Sequence, residues 1–506
     1  MRDNQRTAGI LLNYAGEAVK VLTALIYTPV MLRLLGQSEY GLYQLVSSTV
    51  AYLSLLSLGF SGAYIRFYSR YALQGDQDGV ARLNGMFMLI FSVMSALCLI
   101  CGGMMIAKAE WVFGSGLTAQ ELQKAKMLLT VLVFSMALTF PNSVFNCYVT
   151  AHERFVFQKA LNLLQALLNP FLALPLLLLG FGSVGVVAVS AVLTVAVLIA
   201  NMLFCRKKLG MVFCFRGLDF GLLKEMWVFT FFIFLNQIID QINWSVDKFL
   251  LGRMIGTSAV AVYGIGGQIN SIYITASTAV SNVFVPKVNR IVATTDDNAA
   301  LTHLMIRIGR IQFMILGLVV SGFVFFGRPF IHLWAGAEYD SAYAVALLLM
   351  LPVTIPLVQN IGIEIQRAKN KHQARSVVYA LLAVCNVCVS IPLIRHFGVF
   401  GAALGTAVSM VLGNGLFMNW YYHNRMGLDM LAFWKSVLKF APSVAVALGG
   451  GILLNKLLCY DNWGTLILGI GLYTCVYGIA MVILGFDSDE KYLIHEMLGA
   501  FGQRKK

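Results

Sequence analysis

Apolar stretches alternate with short polar breaks along the whole 506-residue chain. A helix needs about 20 apolar residues to cross a bilayer. Fourteen stretches qualify, near 9–32, 42–65, 84–107, 125–150, 156–179, 184–204, 226–250, 259–285, 305–327, 342–364, 375–394, 399–421, 436–456 and 463–484. The pattern predicts an all-α integral membrane protein of about 14 transmembrane helices. An outer-membrane barrel would instead show short segments of alternating polarity. The run 9–32 is too long for a cleavable signal peptide and lacks a small-residue cleavage site, so it reads as the first span.

The apolar pattern is internally duplicated. Arg33-Leu34-Leu35-Gly36 recurs as Arg253-Met254-Ile255-Gly256, and the same offset of 220 pairs Tyr43 with Tyr263, Ser57 with Ser277, Arg70 with Arg290 and Asp76 with Asp296. Further along, the offset slips to 217 and 216, pairing Asn169 and Pro175 with Asn386 and Pro392, then Gly182 and Gly185 with Gly398 and Gly401. Duplication in a polytopic membrane protein is the usual mark of a transporter. Each repeat holds six spans, an even number, so both enter the membrane from one side and are related by a pseudo-two-fold along its normal. The expected organisation is an N-terminal six-helix lobe at 1–205, a cytoplasmic linker at 206–224, a second six-helix lobe at 225–425, and two extra helices with a cytoplasmic tail at 426–506.

Composition narrows the class. Hydrophobic residues make up 59% of the chain and charged ones 12%, leaving no room for a soluble catalytic domain. The net charge of +14 reflects topology. With both termini cytoplasmic, 27 of the 37 Lys and Arg fall on cytoplasmic ends and loops and nine on the opposite side, as the positive-inside rule requires. That removes the need for a nucleic-acid partner. Cys98-x-x-Cys101 and Cys385-x-x-Cys388 have metal-like spacing, yet no His or carboxylate lies near them, and they read as small residues on helix faces. No Gly-Lys dipeptide occurs, so a phosphate-binding loop is absent, and no catalytic constellation points to an enzyme.

Charges inside spans are expensive and normally face a cavity or a partner. Asn13, Glu17 and Lys20 share one face of the first span; Asn236, Asp240, Asn243 and Asp247 form a second stripe on the seventh. The 220 offset maps Lys20 onto Asp240. Either the stripes face one another across a cavity, or the two charges form a buried pair that fixes helix packing. The basic span ends Arg66/Arg70 and Lys287/Arg290, with Arg154, Arg367 and Lys371, suit phosphate as well as topology.

Leu34-Leu35-Gly36-x-x-Glu39-Tyr40-Gly41-Leu42-Tyr43, then Leu55-Leu56-Ser57-Leu58-Gly59-Phe60 with Arg66, and the later Ala151-x-Glu153-Arg154-Phe155, resemble Wzx-type polysaccharide flippases. These belong to the multidrug, oligosaccharidyl-lipid and polysaccharide exporter superfamily. The resemblance implies a MATE-like fold of two six-helix lobes around a V-shaped cavity, working by alternating access in the bacterial inner membrane. The implied substrate is an undecaprenyl-pyrophosphate oligosaccharide, moved from the cytoplasmic to the periplasmic leaflet for O-antigen, capsule or exopolysaccharide synthesis. By the same resemblance Lys20, Arg66, Arg70, Lys248 and Arg290 would bind the pyrophosphate. Glu17, Asp240 and Asp247 depart from a purely basic cavity, which opens an ion-coupling or gating role through H⁺ or Na⁺. No cofactor is implied, and a polysaccharide polymerase is a partner the resemblance would allow. The rival is a cation-coupled multidrug antiporter of the same fold.

Overall fold

Helices carry nearly every residue of the computed structural model, which describes residues 2–218, 221–369, 371 and 373–487, and no strand occurs among them. Positions 219–220 of the expected linker, positions 370 and 372, and 488–506 of the expected tail lie outside the described residues, as does the side chain of Asn13. Hydrocarbon offers backbone amides and carbonyls no partners, so a chain this apolar satisfies them within helices.

In order, the helices are α1 (Arg2–Ala51), α2 (Phe60–Leu73), α3 (Gln77–Ala107), α4 (Ala109–Phe113), α5 (Ala119–Ala151), α6 (Phe155–Leu178), α7 (Gly182–Lys208), α8 (Gly221–Met254) and α9 (Thr257–Asn282). They continue with α10 (Val285–Thr294), α11 (Asn298–Ala335), α12 (Ala342–Val358), α13 (Asn360–Ala368), α14 (Gln373–Phe397), α15 (Val399–Met410), α16 (Met418–Asn424), α17 (Met430–Leu438), α18 (Ala441–Leu457) and α19 (Trp463–Ala480). All fourteen apolar runs fall mainly on helix; the second is broken by a 3₁₀ turn at Tyr52–Ser57, and the eighth, tenth and thirteenth by one- or two-residue turns after α9, α12 and α17.

Among the described residues, length and apolarity alone identify ten membrane spans, or eleven when α12 and α13, bent by 45°, count as one. The expected count of fourteen is therefore not confirmed. The first two runs fuse into one stretch, Ala15–Leu73. Helix α9 is long enough, but its hydroxyl- and amide-bearing run lowers its apolarity.

The duplication is written into the backbone. Gly36 breaks α1 at φ +75°, and its counterpart Gly256, at φ +125°, separates α8 from α9. Gly182 and Gly398 open the paired helices α7 and α15 at φ +58° and +59°. Only glycine adopts such angles without strain, so the repeat is legible as four obligatory turns. One pairing shifts. Asp76 caps α3 by accepting from the Gly79 amide at 2.7 Å, whereas Asp297, not Asp296, caps α11, accepting from Ala299 at 2.8 Å. Asp296 instead pairs with Lys369 at 2.8 Å.

The chain packs as two compact units, Met1–Gly264 with Ser376–Ala402, and Ile265–Arg375 with Ala403–Lys506. Within the first, α3 packs on α5, α5 on α7 and α1 on α6. Buried polar groups there bind one another, as they must where water is absent. Asn201 donates to Asn142 at 2.8 Å, and Asn84 accepts from the Tyr64 hydroxyl while donating to the Val212 carbonyl at 2.9 Å. The linker residues Val212 and Cys214 are thus held against α3, with the Cys214 amide donating to Ala81 at 2.9 Å.

The second unit closes on an aromatic core of Phe326, Phe440, Tyr473 and Tyr477. Beside it Arg310, 3% exposed, donates to the carbonyls of Ser436 and Gly485 at 2.8 and 2.9 Å and lies 4.3 Å over the Phe440 ring. It also pairs with Asp487 at 3.4 Å. The charge is retained in the interior because each face of the guanidinium is used.

Candidate functional site

The predicted polar residues divide into an exposed set and an interior set. Lys20 pairs with Glu17 at 2.8 Å, one helical turn earlier on α1, with both side chains about half exposed. Its described ion-pair partner is thus on its own helix, a pairing that spacing alone permits. Asp240 on α8 is exposed. Arg66 and Arg70 project from α2, whose other face buries Ala63, Tyr64 and Phe67. In the other unit Arg290 is likewise exposed on α10, whose Val288 is buried.

Asp247 and Lys248 lie further along α8, in the interior of the first unit. Asp247 is 1% exposed and accepts a hydrogen bond from the Tyr263 hydroxyl. The Tyr52 hydroxyl, buried without a hydrogen-bond partner among the described residues, sits within electrostatic reach of this carboxylate. The Lys248 ammonium donates to Gln44 Oε1 at 3.0 Å, and the Gln44 amide donates in turn to the Tyr40 hydroxyl at 2.8 Å. One neutral acceptor compensates only part of an ammonium's desolvation, so Lys248 is poised to gain from an anion.

Between these residues and the ends of α5 and α7 runs a polar seam that the sequence did not disclose. Thr118 and Glu121 form a capping box at the start of α5. Glu121 Oε2 accepts from the Thr118 amide and hydroxyl, each at 2.8 Å. That leaves Oε1 for Ser38 on α1 and Thr257 on α9, both donating at 2.6 Å. Backbones meet at the same place: a Cβ on Gly41 would collide with the Thr257 carbonyl oxygen. Next door, Glu39 accepts from the Ser183 amide at 2.7 Å and hydroxyl at 2.8 Å, and from Lys124 at 2.8 Å. Arg253 completes the seam, donating to the Val112 carbonyl at 3.4 Å with its guanidinium 5.7 Å from the Trp111 ring. Glu39 and Gly41 lie in the Leu-Gly-x-x-Glu-Tyr-Gly run, and Thr118-x-x-Glu121 is a capping signature, so the local signals were present. Their convergence was not.

At the opposite end of α5, His152 accepts from the Tyr68 hydroxyl through Nε2 at 3.1 Å and donates through Nδ1 to the Tyr148 carbonyl at 2.9 Å. Burial lowers its pKa, the Tyr148 contact opposes that, and the neighbouring Arg154 charge adds to the lowering. The ring is therefore neutral near pH 7.

A sequence profile described as polysaccharide biosynthesis protein matches residues 7–292, more than half of the chain. The chain is 20% identical over 489 residues to the uncharacterized membrane protein EpsK of Bacillus subtilis (strain 168), covering 95% of this chain and 96% of that one. Its fold is similar to that of the lipid II flippase MurJ in an inward closed conformation, with TM-score 0.73, 14% identity, and coverage of 94% and 98% of the two chains. It is also similar to an inward-facing multidrug resistance MATE family transporter, with TM-score 0.60, 14% identity, and coverage of 83% and 96%.

Proposed function

We propose that this chain, which belongs to the polysaccharide biosynthesis protein family, is a flippase for a lipid-linked oligosaccharide. It moves an undecaprenyl-pyrophosphate repeat unit from the cytoplasmic to the periplasmic leaflet by alternating access, as a transporter and not an enzyme. A pyrophosphate-sugar head cannot cross hydrocarbon unaided, so it needs a polar, partly cationic passage while its polyprenyl tail stays in lipid.

The observation that carries this reading is the seam at Glu121. It draws α1, α5 and α9 together on the side that the charge count assigns to the periplasm, while Arg66 and Arg70 stand exposed at the other end of the same unit. A unit drawn together outside and basic inside is ready to receive an anionic head from the cytoplasm. Lys20, Arg66, Arg70, Lys248 and Arg290 are the bases that take the pyrophosphate. Glu17, Asp240 and Asp247 couple the return step to H⁺ or Na⁺. The inner membrane is the site of action, and a polysaccharide polymerase is the natural recipient of the product.

The buried Asp247–Tyr263 pair supports a second reading, a cation-coupled multidrug antiporter. Proteoliposomes separate the two. Transfer of labelled undecaprenyl-pyrophosphate oligosaccharide between leaflets, lost in Arg66→Ala/Arg70→Ala, supports the flippase. Absence of transfer, with proton-driven efflux of cationic dyes that Asp247→Asn abolishes, overturns it.

A further inference from the structure

The Ala-x-Glu-Arg-Phe run ends at a feature that transport does not use. A cavity of about 390 Å³ opens between the first turn of α6 and the last turn of α7, lined by Arg154, Val156, Phe157, Phe204, Lys208 and Leu209. Two cations guard it, both exposed and neither with an acidic partner among the described residues. Its wall is a stacked pair, Phe157 on Phe204, with ring centroids 3.8 Å apart and planes 7° from parallel. No side chain caps the N-terminus of α6, so its first amides add positive potential at that end of the helix. Two turns beyond Phe157 on the same face of α6, Leu164 is exposed, with Leu167 one turn further on.

We infer that this cavity is a binding site for an anionic phospholipid of the leaflet beside it, the cytoplasmic one under the charge-derived orientation. Arg154 and Lys208 hold the phosphodiester, with the guanidinium able to take two of its oxygens. The Phe157–Phe204 stack receives the glycerol and the head of the acyl chains, which continue along Leu164 and Leu167. That apolar continuation is what selects a lipid over a free phosphate: a soluble anion would use the cations and leave the rest idle. The basic run at the end of α7 is not the whole signal either, because Arg206 and Lys207 lie outside the cavity lining. The inference stands independently of the flippase reading.

The test is native mass spectrometry of the full chain released from mixed phosphatidylglycerol and phosphatidylcholine. The expected result is retention of phosphatidylglycerol over phosphatidylcholine. Arg154→Gln/Lys208→Gln should weaken it about 30-fold, since each base near an anionic surface contributes about fivefold. Arg154→Lys/Lys208→Arg should keep binding, which guards against a folding defect in the neutral pair. Equal retention in the Gln pair and the native chain overturns the site. So does displacement of phosphatidylglycerol by inorganic phosphate alone, which would make it a free-anion site. Displacement by undecaprenyl pyrophosphate but not by excess phosphatidylglycerol would assign the cavity to the transported lipid and equally overturn it.

Discussion

Thr257 on α9 donates its hydroxyl to Glu121 on α5 across 2.6 Å, though the two residues stand 136 positions apart. Ser38 delivers a second hydroxyl to the same carboxylate oxygen, also at 2.6 Å. Since each hydroxyl spends its single proton on Glu121, the 2.9 Å between Ser38 and Thr257 is the spacing of two donors on one acceptor. A seam held by one side chain's acceptor oxygens fails as a unit when those acceptors are removed.

Glu121→Ala should therefore open the seam while leaving the helices formed. Hydrogen bonds to a charged group contribute about 1.5–3 kcal/mol each when well buried, and partial exposure here reduces the total to about 2 kcal/mol. The check is a cysteine at Ser38 probed with a membrane-impermeant maleimide. Labelling should rise several-fold in Glu121→Ala and little in Glu121→Gln, which keeps an acceptor oxygen. Unchanged labelling in both would mean the seam does not control access.

Gly41 tests the backbone side of the same contact. A methyl group there would run into the Thr257 carbonyl, so α1 and α9 must part. Overpacking of this kind costs about 1–3 kcal/mol. Gly41→Ala should unfold at lower denaturant concentration, and Thr257→Ala, which removes only the side chain, should not rescue it because the clash is with backbone.

Much of this arrangement was legible in the chain. The apolar runs all fall mainly on helix, and the glycines matched by the repeat, Gly36 with Gly256 and Gly182 with Gly398, adopt the same unusual backbone hand. The spans do not map one to one onto the apolar runs: the first two fuse into Ala15–Leu73, and α9 trades apolarity for hydroxyls and amides. Lys20 shows why side-chain partners are harder to foresee. Its symmetry mate is Asp240, but Glu17 lies one turn away on the same helix, and a neighbour at that distance costs no chain closure. The seam was hidden for the opposite reason: serine, threonine and glutamate at helix ends look like caps until three distant ends meet.

Lys248 separates a packing role from a binding role. Lys248→Met keeps the length of the side chain and leaves Gln44 Oε1 without this donor, at a cost of about 1 kcal/mol. Folding, followed by size-exclusion and denaturation midpoint, should be nearly native. Leaflet transfer of the pyrophosphate-linked substrate should fall at least about tenfold, the loss of one charge-assisted contact. Full transfer in Lys248→Met would remove this lysine from the binding set.

Arg310 should behave as a structural charge. Arg310→Ala strands the carbonyls of Ser436 and Gly485 and leaves Asp487 without this partner. Each buried carbonyl left without its donor costs about 1–3 kcal/mol. The variant should be purified in low yield, with its loss of stability matched by the double variant Arg310→Ala/Asp487→Ala to within about 1 kcal/mol, since Asp487 is half exposed.

His152 gives the chain a pH dependence whose sign follows from its surroundings. Burial lowers its pKa below the ordinary 6.5, so the folded state favours the neutral ring. The unfolded state then binds the proton more readily, and stability is lost as pH falls below that ordinary value and on through the lower folded one. Above it the contribution is complete. The ring is only half-buried, so the effect should stay under about 1 kcal/mol. Denaturation midpoints of native and His152→Gln protein at about pH 7.5 and about pH 5, on either side of the ordinary histidine value, provide the check. The native midpoint should drop more than the variant's on acidification. An equal drop would assign the acid sensitivity to other groups and leave the Tyr68–His152–Tyr148 contact as packing alone.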